Sequence, residues 1–195
     1  MIVIRGIHSN IAKSLLSIIF DDYVEMGRDE LPRLDAERYF FCQGLLHGKR
    51  RVDQTEAEIN NTYNVNYAYI CKMCNIILEH NTNARICVMG SDSGITGSYD
   101  EVYADSKKLL HHYVETKILK RNQQLVAVAP WIISDAGMTL RRNDMDNLSN
   151  LCRRHPKGRF ITSMEVAETV RHLLYVDLGF ITNTVVRMNG GKHTC

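Results

Sequence analysis

The sequence predicts an α/β domain built on a doubly wound parallel sheet. Three observations carry this. Short apolar runs alternate with longer stretches of helical periodicity along the whole chain. The short runs are continuous rather than alternating, as strands covered on both faces should be. Strand and helix patterns follow one another singly, the order that right-handed βαβ units require. With 195 residues, three prolines, no repeat and no low-complexity linker, residues 1–195 read as a single domain able to bury a sizeable core.

The elements follow in order. Ile2-Val3-Ile4 is a first strand, and residues 11–20 are a helix with Ile11, Leu15, Leu16, Ile18 and Ile19 on its apolar stripe. Tyr39-Phe40-Phe41-Cys42 is a clear strand, and residues 64–78 read as a long helix. Ile86-Cys87-Val88-Met89 is the next strand. Residues 102–120 form a strongly periodic helix through Leu109, Leu110, Tyr113, Val114, Ile118 and Leu119. A strand at 125–129, a helix at 164–174 and a strand at 185–188 complete the series.

Composition narrows the class. A hydrophobic fraction of 45% and a charged fraction of 24% are those of an ordinary globular protein. The net charge is only +2, and no charge block is long enough to make nucleic acid or a membrane surface the main partner. Lys49-Arg50-Arg51 and Arg153-Arg154-His155 read as solvated loops. No apolar run reaches bilayer length, and the chain starts directly on a strand pattern, so a cytoplasmic location is expected. The six cysteines, Cys42, Cys71, Cys74, Cys87, Cys152 and Cys195, read as reduced thiols. Cys71 and Cys74 have C-x-x-C spacing but lie within a helix with no second pair, so a zinc or redox role is not expected. No His/Asp/Glu cluster has metal spacing, and no metal is expected.

The chemistry concentrates in Tyr103-Ala104-Asp105-Ser106-Lys107 and in Gly90-Ser91-Asp92-Ser93-Gly94 upstream. A tyrosine and a lysine at i and i+4 share one helix face. A cation there favours the phenolate, giving a group that moves protons near neutral pH. Ser91 ends a strand and can hold a substrate oxygen beside the phenol. A lone Y-x-x-x-K also occurs on helices whose tyrosine packs and whose lysine is solvated. His111 and His112, further along the helix, are expected to face away from the motif.

These residues resemble the Ser-Tyr-Lys active site of the short-chain dehydrogenase/reductase family, and the likeness extends from Ile2 to Gly191. Arg5-Gly6-Ile7-His8-Ser9-Asn10-Ile11-Ala12 stands at the family's T-G-x-x-x-G-I-G, with Gly6 and Ile11 kept and Asn10 and Ala12 in place of glycines. Phe41-Cys42-Gln43-Gly44 stands at N-N-A-G. Asn64-Val65 resembles the N-V-x-G segment, with Asn66 as the alternative if the register shifts by two. Ser91 and Gly94 match S-x-x-G, with Ser93 the fallback. Ala129-Pro130 matches the loop over the nicotinamide, with Trp131 replacing a glycine and Ile133 at the aliphatic position. Gly158-Arg159, Glu165-Val166-Ala167 and Asn189-Gly190-Gly191 follow the carboxy-terminal pattern.

The resemblance implies a Rossmann-like sheet and hydride transfer between a nicotinamide cofactor and an alcohol or carbonyl. It implies Asn64, Ser91, Tyr103 and Lys107 as catalytic residues. For the cofactor it implies Gly6, His8, Asn10, Ile11, Gly44, Tyr103, Lys107, Pro130 and Ile133. Gly6 and Gly44 are only 38 residues apart, so one or two strands of the usual sheet are expected to be missing. Residues 23–28 are the remnant of the second strand, and Arg28 at its end favours NADP(H) over NAD(H). The two long helices carry surplus apolar residues, and the family pairs such helices across a two-fold axis. A homodimer or homotetramer is therefore expected. The contrasting expectation is a degenerate, non-catalytic scaffold that keeps the fold for binding or assembly.

Overall fold

A computed structural model describes residues 1–176 and 179–192 of the chain; Cys195 lies outside the described residues. Among these, six strands form one parallel sheet: β1 (Ile2–Arg5), β2 (Tyr23–Glu25), β3 (Arg38–Phe41), β4 (Arg85–Met89), β5 (Gln124–Pro130) and β6 (Thr184–Met188). Their order is β2-β1-β3-β4-β5-β6. The chain builds outward from β1 to one side through β2 and to the other through β3. The carboxyl ends of β1 and β3 thus form a topological switch point, where such sheets open a crevice.

Eight α-helices cover the sheet: α1 (Asn10–Ile18), α2 (Glu56–Tyr63), α3 (Tyr69–His80), α4 (Ser93–Thr96), α5 (Glu101–Thr116), α6 (Gly137–Leu140), α7 (Met145–Arg154) and α8 (Ser163–Tyr175), counted among the described residues. The period of two along each strand divides the core into two layers. Val3, Tyr39, Phe41, Ile86, Val88, Leu125 and Ala127 pack against α3 and α5 through Ile70, Cys74, Ile77, Leu110 and Val114. Ile2, Ile4, Phe40, Cys87, Val126 and Val128 pack on the opposite face against α1 and α8 through Leu15, Val166, Val170 and Leu174. Covering both faces is what makes the strand sequences continuously apolar.

Caps set the helix starts. The Ser9 hydroxyl accepts from the Ala12 amide at 3.1 Å and opens α1. Thr55 with Glu58, and Thr162 with Glu165, form reciprocal capping boxes at α2 and α8. The long helix expected at 64–78 is the second half of a rod that begins at Glu56 and passes through a π-helical turn at Asn64–Ala68 into α3. The helix expected at 102–120 is α5 and ends at Thr116. α7 lies where a loop was expected; its Met145, Leu148, Leu151 and Cys152 stand at helical spacing, but only Leu148 is buried.

The remnant strand expected at residues 23–28 is present as β2. Residues 26–37 then cross from β2 to β3 without a helix, about the dozen residues that a parallel crossover needs. Met26 and Ala36 anchor this segment in the core. The Tyr39 hydroxyl donates to Arg33 O at 2.7 Å, and Asn81 Nδ2 donates to Ala36 O at 2.6 Å.

Candidate active site

Ser91 leaves the carboxyl end of β4 and is buried. The Gly90 amide donates to Val128 O at 2.8 Å and the Asp92 amide to Pro130 O at 2.9 Å, which extends the β4–β5 pairing and fixes Ser91 between them. Its Oγ accepts from the Ser93 amide at 3.2 Å. Asp92 behind it is buried against Arg187 at 3.2 Å and Lys192 at 3.7 Å, tying the end of β6 to this turn.

Tyr103 sits in the first turn of α5, where its amide donates to the capping carboxylate of Asp100 at 3.0 Å. Lys107 follows one turn later, 1% exposed, with Nζ donating to Met89 O at 2.7 Å and lying 5.9 Å from the Tyr103 ring centroid. Burial pushes the Lys107 ammonium down to about 8, and Cys42 opposes this. The Tyr103 phenol is raised, chiefly by burial; the Ser91 hydroxyl opposes the rise and Asp100 adds to it. The expectation that Lys107 depresses the tyrosine is thus corrected: desolvation dominates, and the ammonium is engaged with a backbone carbonyl. Cys42, at the base of the cleft, is pushed up to about 11 by burial despite a 3.0 Å contact between its Sγ and the Ser9 Oγ.

His111 also departs from its expected place. It lies four residues beyond Lys107, hence on the same helix face, and its buried Nε2 accepts from the Ser91 amide at 3.3 Å. A Cβ at Gly90 would stand 2.4 Å from His111 Nε2, and one at Gly94 would stand 2.8 Å from its Cε1. Both glycines make room for this ring.

Of the two asparagines, Asn64 is exposed and Asn66 is turned inward. Asn66 accepts from the Leu45 amide at 2.8 Å and donates to Leu45 O at 2.8 Å and Ser106 Oγ at 3.0 Å. Ser106 in turn donates to Tyr103 O at 2.7 Å. The π-helical turn rotates this side chain toward the loop after β3, a local change that no simple helical period reveals. Asp100 escaped sequence reasoning too. Its carboxylate accepts from Tyr103 N, from Gln54 Nε2 at 3.0 Å, and from the amides of His47 at 3.1 Å and Gly48 at 3.0 Å. An acidic residue immediately before a periodic helix was the signal available.

One cleft of about 1220 Å³ opens at the switch point, and Gly6, His8, Asn10, Ile11, Arg28, Gly44, Asn64, Ser91, Tyr103, Lys107, Pro130 and Ile133 all line it. Gly6 has φ +87°, and a Cβ there would stand 2.9 Å from the Gln43 amide nitrogen, so the turn requires glycine. A Cβ at Gly44 would stand 3.1 Å from the Met138 methyl and 4.0 Å from Lys107 Nζ, so this glycine keeps the space beside the lysine open. The Asn10 side chain bridges the cleft: its Nδ2 donates to Asp135 O and ties α1 to the loop after β5. His8 is exposed and 3.7 Å from Glu25. Arg28 is exposed at the far wall. The open glycine turn, the helix start and the space beside Lys107 fit a dinucleotide; the Asn10 bridge narrows its path.

No protein-family model matches the sequence, and no curated protein matches it. Solved structures do. A short-chain dehydrogenase/reductase from Brucella melitensis, described as a glucose/ribitol dehydrogenase, has a TM-score of 0.84 at 14% identity over 100% of this chain and 96% of its own. A short chain dehydrogenase family protein from Francisella tularensis subsp. tularensis SCHU S4 has a TM-score of 0.82 at 16% identity, over 100% and 98% of the two chains. An ElxO variant with NADPH bound has a TM-score of 0.80 at 16% identity, over 100% and 98%. The chain has the fold of the short-chain dehydrogenase/reductase family, in a shortened form.

Proposed function

We propose that the chain is an NAD(P)(H)-dependent oxidoreductase that interconverts an alcohol and a carbonyl. The observation that carries this is the meeting of Ser91, Tyr103 and a buried Lys107 on one cleft at the switch point of the sheet. A lysine held at a pKa of about 8 by burial is expensive to a scaffold, which an apolar residue would serve better; strongly perturbed groups in clefts mark chemistry. That weighs against the scaffold reading.

When bound, the nicotinamide group supplies or accepts the hydride. The chain's own residues hold the substrate and move the proton. Ser91 Oγ holds the reacting oxygen beside the Tyr103 hydroxyl. Tyr103, protonated at neutral pH, donates a proton as a carbonyl is reduced. Lys107 and Tyr103 would hold the cofactor ribose, and Gly6, Ile11, Pro130 and Ile133 would line its path. Asn66, not Asn64, fixes Leu45 and Ser106 around this centre. Arg28 favours NADP(H), and the ElxO variant with NADPH bound shows that a protein of this fold takes that cofactor.

Trp131 is the chain's one tryptophan; it lines the cleft and stacks on His155 at 4.2 Å. Adding NADPH or NADH should quench its fluorescence saturably and raise the melting temperature. No response to either cofactor would contradict the proposal.

A further inference from the structure

We propose that the substrate is a carbonyl compound with a second, anionic group, a carboxylate or a phosphate, and that Lys192 is the residue that reads that group. The proposal rests on the reading of the cleft as an oxidoreductase site and names the substrate class that this site takes.

Lys192 lies just past β6 and lines the cleft together with Ser91 and Tyr103. Its Nζ stands 3.7 Å from the carboxylate of Asp92, the residue next to Ser91, and 5.5 Å from the centre of the Trp131 ring. Adjacent Cα atoms are only about 3.8 Å apart, so the ammonium flanks the turn that carries Ser91.

This ammonium is left over from the local ion pairing. Asp92 is 1% exposed and already accepts from Arg187 Nη2 at 3.2 Å and Asn189 Nδ2 at 3.3 Å. At 3.7 Å Lys192 is too far to hydrogen-bond the same carboxylate, and its Nζ donates to no other group among the described residues. Two cations among those residues thus face one buried carboxylate, and Lys192 brings the surplus charge to the cleft with its donors unspent.

The mount is rigid. Trp131 stacks on His155 at 4.2 Å and 12° and meets Phe160 at 5.4 Å. His155 is buried; its Nδ1 accepts from the Lys157 amide at 3.1 Å, so its Nε2 donates to Asn189 O at 2.9 Å. Gly190, with φ +59°, leaves room for this ring, since a Cβ there would stand 2.6 Å from His155 Cε1. The Lys192 amide donates to Asn189 O at 3.1 Å. The ends of β5 and β6 therefore hold the indole and the ammonium in one place, which lowers the ordering cost of binding.

The other charges on the walls agree with an anion at this end. Of the lining acids, Asp29 and Glu30 stand beside Arg28 at the far wall, and Asp92 is neutralised. Arg142 is spent on Asp144 through bonds of 2.8 and 2.5 Å. Arg141, exposed on the cleft and unpaired among the described residues, is the competing cation.

Matched pairs test this: benzoylformate with its methyl ester, and acetoacetate with its methyl ester. Dihydroxyacetone phosphate beside dihydroxyacetone tells phosphate from carboxylate. Each compound is titrated calorimetrically into the full chain and assayed for NADPH- or NADH-dependent reduction. In at least one pair the wild type should favour the anion by at least about tenfold in Kd and in kcat/KM, a charge-assisted contact being at stake. Added salt should shrink the preference, because the Lys192 side chain is 32% exposed. Lys192→Met should remove it through KM rather than kcat, and Lys192→Arg should keep most of it. Arg187 and Asn189 still hold Asp92 in both variants, so melting temperatures should stay close to wild type. Equal values in every pair, binding of no anion, or a preference that survives Lys192→Met and disappears in Arg141→Ala would overturn the proposal. A protein that binds the anion preferentially yet reduces nothing keeps the anion site and loses the oxidoreductase reading. One that reduces anion and neutral partner equally well loses only the anion site.

Discussion

The backbone amide of Ser91 donates to Nε2 of His111 across 3.3 Å, so a buried imidazole holds the serine at the end of β4. The bond needs an unprotonated Nε2, and Gly90 and Gly94 leave the ring no room to turn away. Burial lowers His111 to about 4, Lys107 adds to the fall and Asp92 opposes it. The turn that carries Ser91 is thereby linked to the protonation of His111.

Stability should fall in acid through this residue. Between its folded pKa of about 4 and its ordinary 6.5, the unfolded chain binds the proton and the folded chain does not. Stability from His111 is therefore complete above 6.5 and is lost as the pH falls toward 4, by up to about 3 kcal/mol. Urea midpoints at pH 7 and 4.5 should show a smaller drop in His111→Leu than in the wild type. An equal drop in both would contradict the buried, neutral ring.

Lys107→Met should stabilise the protein while ending turnover. Lys107 falls from 10.5 to about 8 on folding, so at pH 7 the charged form bears its desolvation in full. That amounts to at most about 3 kcal/mol, reduced by the lost bond to Met89 O. As pH rises from 8 to 10.5 the folded wild type sheds the proton and gains stability, so the advantage of the methionine should shrink. Denaturation at pH 7 and pH 10 checks both the sign and the trend.

Asn66→Ala should cost about 1–3 kcal/mol, since it orphans buried partners at Leu45 and Ser106. It should also slow turnover by loosening the loop after Gly44. Asn64→Ala should change stability by less than about 0.5 kcal/mol, because that side chain is exposed. Comparable stability losses in the two variants would contradict the inward placement of Asn66.

We propose that α3 and α5 pair with their copies in a homodimer, or in a tetramer if β6 also pairs. Leu109 is 41% exposed on α5, while Leu110 and Val114 are spent on the core, so the outward apolar surface is narrower than the sequence implied. Light scattering should return at least twice the 22.4 kDa chain mass. Leu109→Glu should shift it toward one chain. A wild type that scatters as a single chain would rule the assembly out.

The parallel sheet was legible because buried strands such as residues 86–89 and 125–129 carry unbroken apolar runs. α2 was not, because Glu56, Asn60 and Asn61 face solvent and give no stripe, and α7 was not, because its short stripe of Met145, Leu148, Leu151 and Cys152 lies among the polar Asp146, Asn147 and Asn150 and buries only Leu148. The line-up of Ser91, Tyr103 and Lys107 on one cleft could be anticipated from strand end and helix spacing. The inward turn of Asn66 could not, since it depends on a π-helical turn. His111 was readable in principle: four residues after Lys107 it shares the lysine's face, and the adjacent pair His111-His112 obscured that.

The most direct test of the account is the turnover of Tyr103→Phe, measured as NADPH- or NADH-dependent reduction across a panel of small carbonyl compounds beside the wild type. Removing one buried hydroxyl that donates the proton should lower turnover by about 10²–10⁴-fold, with cofactor affinity and melting temperature little changed. A Tyr103→Phe protein that keeps the wild-type rate would contradict the assignment of Tyr103 as the proton donor and, with it, the proposed chemistry of this cleft.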